Sequence, residues 1–261
     1  MGISKSVLRN VKFESINELE EGNFNDGEMS DVTFNGVNLA KSTFHRLNAN
    51  NLMISLCIID SIDLSRAELV NFIMEKNLDL KDAVYGPKFD YGNISHSNMD
   101  KAFLGRASFV DATFKHVSMN GLIAKNSFWT GAKGDKLSLV LSVLDGSNCE
   151  NLNISNLDMT RATLNEVDFL GANFSNANFS KVVGYKPLFN ESTGSVIWKG
   201  ARLKFPYFIK TQLDTDMITK ENGIKNPAFT PYELVKPDRD AYYEYMLQDG
   251  IEQSSQLLIN D

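Results

Sequence analysis

The residue types that could do chemistry are few and far apart. The histidines are His45, His96 and His116, and the cysteines are Cys57 and Cys149, in a chain of 261 residues. His96 and His116 are 20 residues apart. If the chain winds in coils of that length, two imidazoles stack on one side, close enough to share a metal ion. Lys76 and Lys136 continue the same 20-residue series, and neighbouring ammonium groups oppose a divalent cation, so the pair reads as solvated surface and no metal site is assigned. A nucleophile or an acid–base pair needs convergent groups in a pocket. No phosphate-binding loop, Gly-rich dinucleotide turn or HExxH helix occurs. Met1-Gly2-Ile3-Ser4-Lys5-Ser6 fits the N-myristoylation pattern, which one acyl chain would turn into only marginal membrane binding. No catalytic residue and no cofactor is assigned.

The elements that must position these groups are set by a five-residue beat. From residue 24 to residue 179, 28 of the 32 positions spaced five apart carry Phe, Leu, Ile, Met, Val, Trp or Cys, where a 43% hydrophobic chain would place about 14 by chance. Two residues ahead of each beat, 21 of 32 positions hold Gly, Ala, Ser, Cys or Val, as in Ala107-Ser108-Phe109 and Ala172-Asn173-Phe174. Neither a helix nor a strand has this period. A short fixed period signals a solenoid, whose units lean on their neighbours.

The pattern resembles the pentapeptide-repeat family over roughly residues 6–183. The resemblance implies an all-β fold: a right-handed quadrilateral β-helix in which each five-residue unit forms one side and four units form a coil. Eight coils at the usual strand spacing would make a rod about 38 Å long. Large residues point inward and stack on equivalents 20 positions away; one expected column is Phe24, Phe44, Leu64, Val84, Leu104, Ala124, Leu144 and Leu164. Cys57 and Cys149 both take inward positions. They lie 92 residues apart, roughly 22 Å along the axis, too far for a disulfide, and both are expected to be structural.

The beat falters where Asn77, Asp82 and Pro87 take successive small-residue slots and Asp79 takes an inward one. That coil is expected to bulge, with Tyr85 to Gly92 as an irregular corner. Tyr85 and Tyr91 there are either an exposed contact loop or a tolerated defect. Elsewhere the outward slot before each beat is mostly polar. On one side, however, it reads Ala83, Phe103, Ile123 and Val143, with Phe128 and Val140 in nearby outward slots. Shorter breaks pair Met53 with Ile73 and Ile58 with Leu78. Contiguous apolar surface marks a contact site, covered either by a partner or by the chain's own C-terminal segment.

The expected domains are a β-helix over 1–183 and a small α+β C-terminal element over 184–261. Within the latter, 195–210 reads as one or two short strands carrying Trp198. Thr230-Pro231-Tyr232-Glu233 reads as a helix start, and Asp238 as the cap of a second helix. The stretch Gly194 to Gly200, with Leu203 and Pro206, resembles the segment after the β-helix of bacterial HECT-like effector ubiquitin ligases. Both cysteines match core positions, so no ligase nucleophile carries over.

Charge is 26 basic against 33 acidic residues, 17 against 22 up to residue 183 and 9 against 11 beyond. The signs are scattered, which opposes nucleic-acid binding. No apolar run is long enough to span a membrane, and the N-terminus lacks a secretory signal core. The resulting expectation is a non-enzymatic protein-recognition scaffold with a protein partner, of undetermined oligomeric state. As a bacterial effector it would pass from the bacterial cytoplasm into a host cell without a Sec signal peptide. The alternatives are the substrate-recognition part of an effector ubiquitin ligase, and a DNA-mimicking inhibitor or protector of topoisomerase.

Overall fold

Each five-residue unit solves the same local problem, turning a corner while keeping two side chains inside. The residue two after the beat adopts positive φ at nearly every corner, for example Lys41 at 56°, Asp111 at 54° and Asn126 at 56°. At many corners the small residue closes a turn: Ser42 N–H donates to Leu39 O at 2.9 Å and Ala112 N–H to Phe109 O at 3.1 Å. These are type II geometries, which require positive φ at the third residue. A β-carbon opposes that conformation, at about 1 kcal/mol, so Asn, Asp and Gly suit the slot. Leu141 departs from this, with φ 60° and 56% exposure. Leu141→Asn is therefore expected to raise Tm by about 1–3 °C; a lower Tm in thermal unfolding would count against this account of the corners.

The computed structural model describes residues 3–17, 19–78 and 85–213, all within one unit, Met1–Phe229. Met1, Gly2, Asp79, Asp82, Ala83, Val84 and the helices expected from Thr230 and Asp238 lie outside the described residues. The described chain is a four-sided parallel β-solenoid. Side 1 stacks Asn23, Thr43, Asp63, Lys88, Ser108, Phe128, Asn148, Asp168, Leu188 and Tyr207, ten rungs joined by parallel bridges. Sides 2 and 3 carry the longer strands, such as Glu28–Asn35 and Asn48–Ser55, which pair in register from Glu28 on Asn48 to Asn35 on Ser55. Side 4 follows, through Asn38, Ile58 and Leu78, then Phe103, Ile123, Val143, Thr163 and Val183. Among the described residues there is no helix, and therefore none long and apolar enough to cross a membrane.

Register explains what the beat conceals. The first coil pairs at an offset of 21, Val7 on Glu28, as the extra residue before Leu19 requires. Subsequent coils pair at 20, but Asp63 pairs with Lys88, Glu68 with Asn93 and Ile73 with Asn98, an offset of 25. The expected bulge is thus an insert one whole repeat long, so it leaves the five-residue frame intact while moving every later residue one side around. The inward column above Phe24, Phe44 and Leu64 therefore continues not as Val84, Leu104 and Ala124 but as Phe89, Phe109, Trp129, Cys149, Phe169, Phe189 and Phe208. Ring centroids confirm it: 4.5 Å for Phe24–Phe44, 4.9 Å for Phe89–Phe109, 4.2 Å for Phe109–Trp129 and 5.2 Å for Phe169–Phe189. Stacked aromatics contribute beyond their buried area. Where a small-residue slot holds Leu47 or Leu122, the following beat is Ala49 or Ala124, and all four are buried, so the coil's inner volume is conserved.

The solenoid also runs past the expected boundary at 183. Phe189 keeps the beat, Gly184 and Gly194 occupy it without side chains, and then one residue is missing. The offset falls to 19, with Ala177 on Val196, Val183 on Arg202 and Leu188 on Tyr207. Trp198, Leu203, Phe208 and Leu213 take the inward slots and are buried. The strands expected in 195–210 exist, at Thr193–Ile197 and Arg202–Lys204, but they are further coils of the solenoid rather than a separate element.

Candidate interaction face

Each outward slot has a preferred local chemistry. An Asn or Asp there accepts a hydrogen bond from the backbone N–H two residues on: Asn38 Oδ1 from Ala40 N–H at 3.0 Å, Asp63 Oδ1 from Ser65 N–H at 2.8 Å, Asn98 Oδ1 from Asp100 N–H at 2.8 Å and Asp158 Oδ1 from Thr160 N–H at 2.9 Å. This Asx arrangement supports the corner that follows. Side 4 gives it up after Asn38. Its next outward residues, Ile58, Leu78, Phe103, Ile123 and Val143, have no acceptor to offer. The ladder pairs Asn38 with Ile58 and Ile58 with Leu78, then Phe103 with Ile123 and Ile123 with Val143. Leu78 is 50% exposed and Phe103 36%; Ile58, Ile123 and Val143 are half-buried against their neighbours along the column.

The insert interrupts this column at one point, and one side chain closes the gap. Asn77 is buried in a small-residue slot. Its Nδ2 donates to Phe103 O at 2.6 Å and its Oδ1 accepts from Phe103 N–H at 3.1 Å. A carboxamide thereby takes the place of a backbone peptide in the ladder, and it holds Phe103 above Leu78. On the far side of the insert, Gly86 lies so close to the next coil that a β-carbon would sit 2.4 Å from Gly105 O and 2.5 Å from Ala107 N. Only glycine fits there.

The expected site residues therefore separate. Phe103, Ile123 and Val143 form one column. Ala83 lies outside the described residues, and register places Leu78, not residue 83, one coil below Phe103. Ile58 and Leu78, which the sequence puts on another side, extend the column downward. Phe128, 48% exposed, belongs to side 1 between Ser108 and Asn148, around a corner marked by the Lys125–Asp145 ion pair at 3.7 Å. Tyr85 and Tyr91 are both exposed but sit at opposite ends of side 1. Tyr91 is in an ordinary positive-φ corner with the Arg66 guanidinium 5.7 Å from its ring, so the irregularity ends before Lys88. The residues missed by sequence are Leu56 and Leu141, exposed at corners leading onto side 4; their signal was a leucine in a slot that favours Asn or Gly.

The histidines do stack, with ring centroids 5.2 Å apart. The insert puts Asn71, not Lys76, beneath His96, while Lys136 stays above His116. His116 Nε2 lies 4.0 Å from Asp135 Oδ2. Among the described residues no three His, Cys, Asp or Glu side chains come together as a metal site would need. Both cysteines are buried, and burial pushes both thiols up from the usual value of 9.0. An acid raised in the folded state stays protonated while the unfolded chain ionises. The thiols' contribution to stability should therefore be flat below pH 9 and fall above it, by up to about 1.4 kcal/mol per pH unit per thiol. Urea unfolding at pH 8 and pH 10 checks this; a Cys57→Ala/Cys149→Ala variant with the same pH slope as wild type would refute it.

A sequence model of pentapeptide repeats matches residues 142–180 in 8 copies, inside the regular upper coils. The matched stretch carries pentapeptide repeats, and the four-sided coil of five-residue units to which it belongs runs through the described residues. Among solved structures it is similar to HetL, a pentapeptide repeat protein involved in heterocyst differentiation regulation from Nostoc sp. strain PCC 7120, at 12% identity over 85% of both chains with a TM-score of 0.29. It is also similar to a trypsin-treated variant of QnrB1, a plasmid-mediated fluoroquinolone resistance protein, at 13% identity over 89% of this chain and 93% of that one, TM-score 0.36. Rfr23 from the cyanobacterium Cyanothece 51142 is 11% identical over 59% and 86% of the two chains, TM-score 0.18. Likeness at this level extends no further than the fold. No curated protein matches by sequence.

Proposed function

We propose that the chain is a non-catalytic protein-binding scaffold whose contact face is the apolar column of side 4. The observation that carries this is the column itself. Ile58, Leu78, Phe103, Ile123 and Val143 fill outward slots in which Asn or Asp would add a hydrogen bond, so their presence weakens the fold's local chemistry and leaves apolar surface in water. A property that works against the folded state fits a role in binding. Delivery of this scaffold into a host cell as a bacterial effector, as a whole protein or as the recognition part of a ligase, gains nothing from the Gly194–Pro206 stretch, whose strands Thr193–Ile197 and Arg202–Lys204 are coils of the solenoid. The DNA-mimicking alternative needs a continuous acidic column. The corner column between sides 1 and 2 instead mixes both signs, from Asp26 through Arg46, Arg66 and Tyr91 to Asp111.

Phe103→Asp/Ile123→Asp tests the reading. Both aspartates would enter slots where Asp63 and Asp158 already stand, so Tm should stay within about 3 °C of wild type. Partner capture from bacterial or host-cell lysate should be lost relative to wild type and to an Asn153→Asp control on side 2. Unaltered capture would refute the face, and a large drop in Tm would show the column to be core.

A further inference from the structure

The described coils concentrate positive charge at the upper end of side 4. From Lys181 to Lys210 the sequence holds six Lys or Arg and one acid, Glu191, a net +5 in a chain of net −7, which leaves −12 for the rest. Register decides which of the six act together. Glu191 and Lys210 pair with each other at 3.8 Å on the corner between sides 1 and 2, and Lys186 is buried. The other four are exposed and converge. Lys181 and Lys199 meet at the corner leading onto side 4, where Lys181 N–H donates to Lys199 O at 2.9 Å. Arg202 and Lys204 stand on side 4 itself, paired with Val183 and Tyr185. Arg161, also exposed, lies one coil below Lys181 on the same corner. Among the described residues none of these five enters an ion pair. Lys204 Nζ is 5.8 Å from the Tyr185 ring and 5.4 Å from the Phe205 ring, which holds its ammonium in place. The patch begins where the apolar column ends, since the outward slots above Val143 are Thr163, Val183 and Arg202.

We infer that the upper end of side 4 is a second docking site, and that its occupant is a short acidic segment of a protein partner, laid in extended form across Arg161, Lys181, Lys199, Arg202 and Lys204. The inference does not depend on the apolar column, which contains none of these residues. Five unpaired cations within two inter-coil steps repel one another, a cost that an anionic occupant removes. Exposed pairs contribute little singly, but several on one surface set preference and orientation. Size selects a short segment. Two inter-coil steps cover about 10 Å, and Lys199 to Lys204 spans about 16 Å of strand. A DNA duplex carries a charge about every 1.7 Å and would continue past such a patch onto an otherwise acidic molecule. An anionic membrane would lie flat on all of side 4 and so also meet Asp60, Glu75, Asp100 and Asp145 along its edges. Spacing favours an extended chain. Arg202 and Lys204 project from alternate positions of one strand, about 6.7 Å apart, and same-face carboxylates of an extended peptide have that spacing.

The probes are fluorescein-labelled peptides of about ten residues in which serine alternates with glutamate or with glutamine. Fluorescence anisotropy with the whole chain is read at about 0.1 M salt, where charges are screened beyond about 10 Å. The glutamate peptide should bind roughly tenfold tighter than the glutamine peptide, with the difference shrinking at about 1 M salt. Arg202→Glu/Lys204→Glu and, separately, Lys181→Glu/Lys199→Glu should each weaken glutamate-peptide binding roughly tenfold. Neither should lower Tm, because all four side chains are in water. Lys115→Glu/Lys133→Glu on side 2 makes the same change in net charge and should leave binding within about twofold of wild type, as should Phe103→Asp/Ile123→Asp. Equal loss in the side 2 variant would reduce the effect to net charge and overturn the site. Loss confined to Phe103→Asp/Ile123→Asp would move the acidic segment onto the apolar column and overturn it as well. No binding of the glutamate peptide, equal binding of the glutamine peptide, or tighter binding of an oligothymidylate of equal charge or of phosphatidylserine vesicles would overturn the acidic segment as occupant. The apolar column is judged separately, by lysate capture with Phe103→Asp/Ile123→Asp.

Discussion

Phe109→Asp is expected to leave no folded solenoid under ordinary conditions. Phe109 is fully buried, with its ring between Phe89 at 4.9 Å and Trp129 at 4.2 Å and Phe114 at 5.8 Å. Truncation to alanine alone should cost about 3–5 kcal/mol through lost burial and a cavity that a stacked coil cannot collapse. Aspartate adds an unpaired carboxylate with no donor in reach, several kcal/mol more. The total is comparable to the whole stability of a domain. Circular dichroism and size exclusion should show an unfolded or aggregated chain at 25 °C. A folded Phe109→Asp protein would mean that the aromatic column is not the axis of the fold. The contrast with Phe103→Asp, six residues away and expected to be nearly silent, separates inward from outward slots.

Asn77→Ala is the second large effect. Removing the carboxamide leaves Phe103 N–H and C=O without the partners they have across the insert. Two orphaned backbone groups cost about 1–3 kcal/mol each where water cannot replace the bond, so a loss of roughly 2–6 kcal/mol is expected. Because the coils on either side are well packed, the loss should be local. Hydrogen exchange should accelerate at Phe103 and the coil beneath it before global unfolding, and partner capture through side 4 should weaken with it. Unchanged stability and exchange in Asn77→Ala would show that the two bonds contribute nothing.

The sequence discloses this fold unevenly, for physical reasons. The beat is legible because every coil must fill the same interior, so Phe44, Phe109 and Phe174 announce their inward positions without any structure. The side on which a residue lies is not legible, because it depends on the count of units since the start. An insert of one whole unit between Leu78 and Lys88 preserves the beat and rotates everything after it. That rotation moved Phe103 off the column of Ala83 and onto that of Ile58 and Leu78, and it replaced Lys76 by Asn71 under His96. Two features pointed to it: Pro87 in an inward slot, and an aromatic run, Phe89, Phe109, Trp129, that matches Phe24 and Phe44 only after a shift of one side. The last coils were hidden by the opposite device. Gly184 and Gly194 blank out the beat, and a single deletion then moves Trp198, Leu203 and Phe208 out of phase. The apolar column was invisible for the same reason, since it does not exist until register is known.

The measurement that most directly tests the central claim is site-specific photo-crosslinking. A benzophenone amino acid replaces Phe103 on side 4 or Asn153 on side 2, both outward slots on the parallel ladder, in the whole chain illuminated in bacterial and host-cell lysates. A discrete adduct is expected from position 103, absent from position 153 and suppressed by Ile123→Asp in the same chain. Adducts of equal yield from both positions, or from position 153 alone, would contradict the assignment of side 4 as the recognition face.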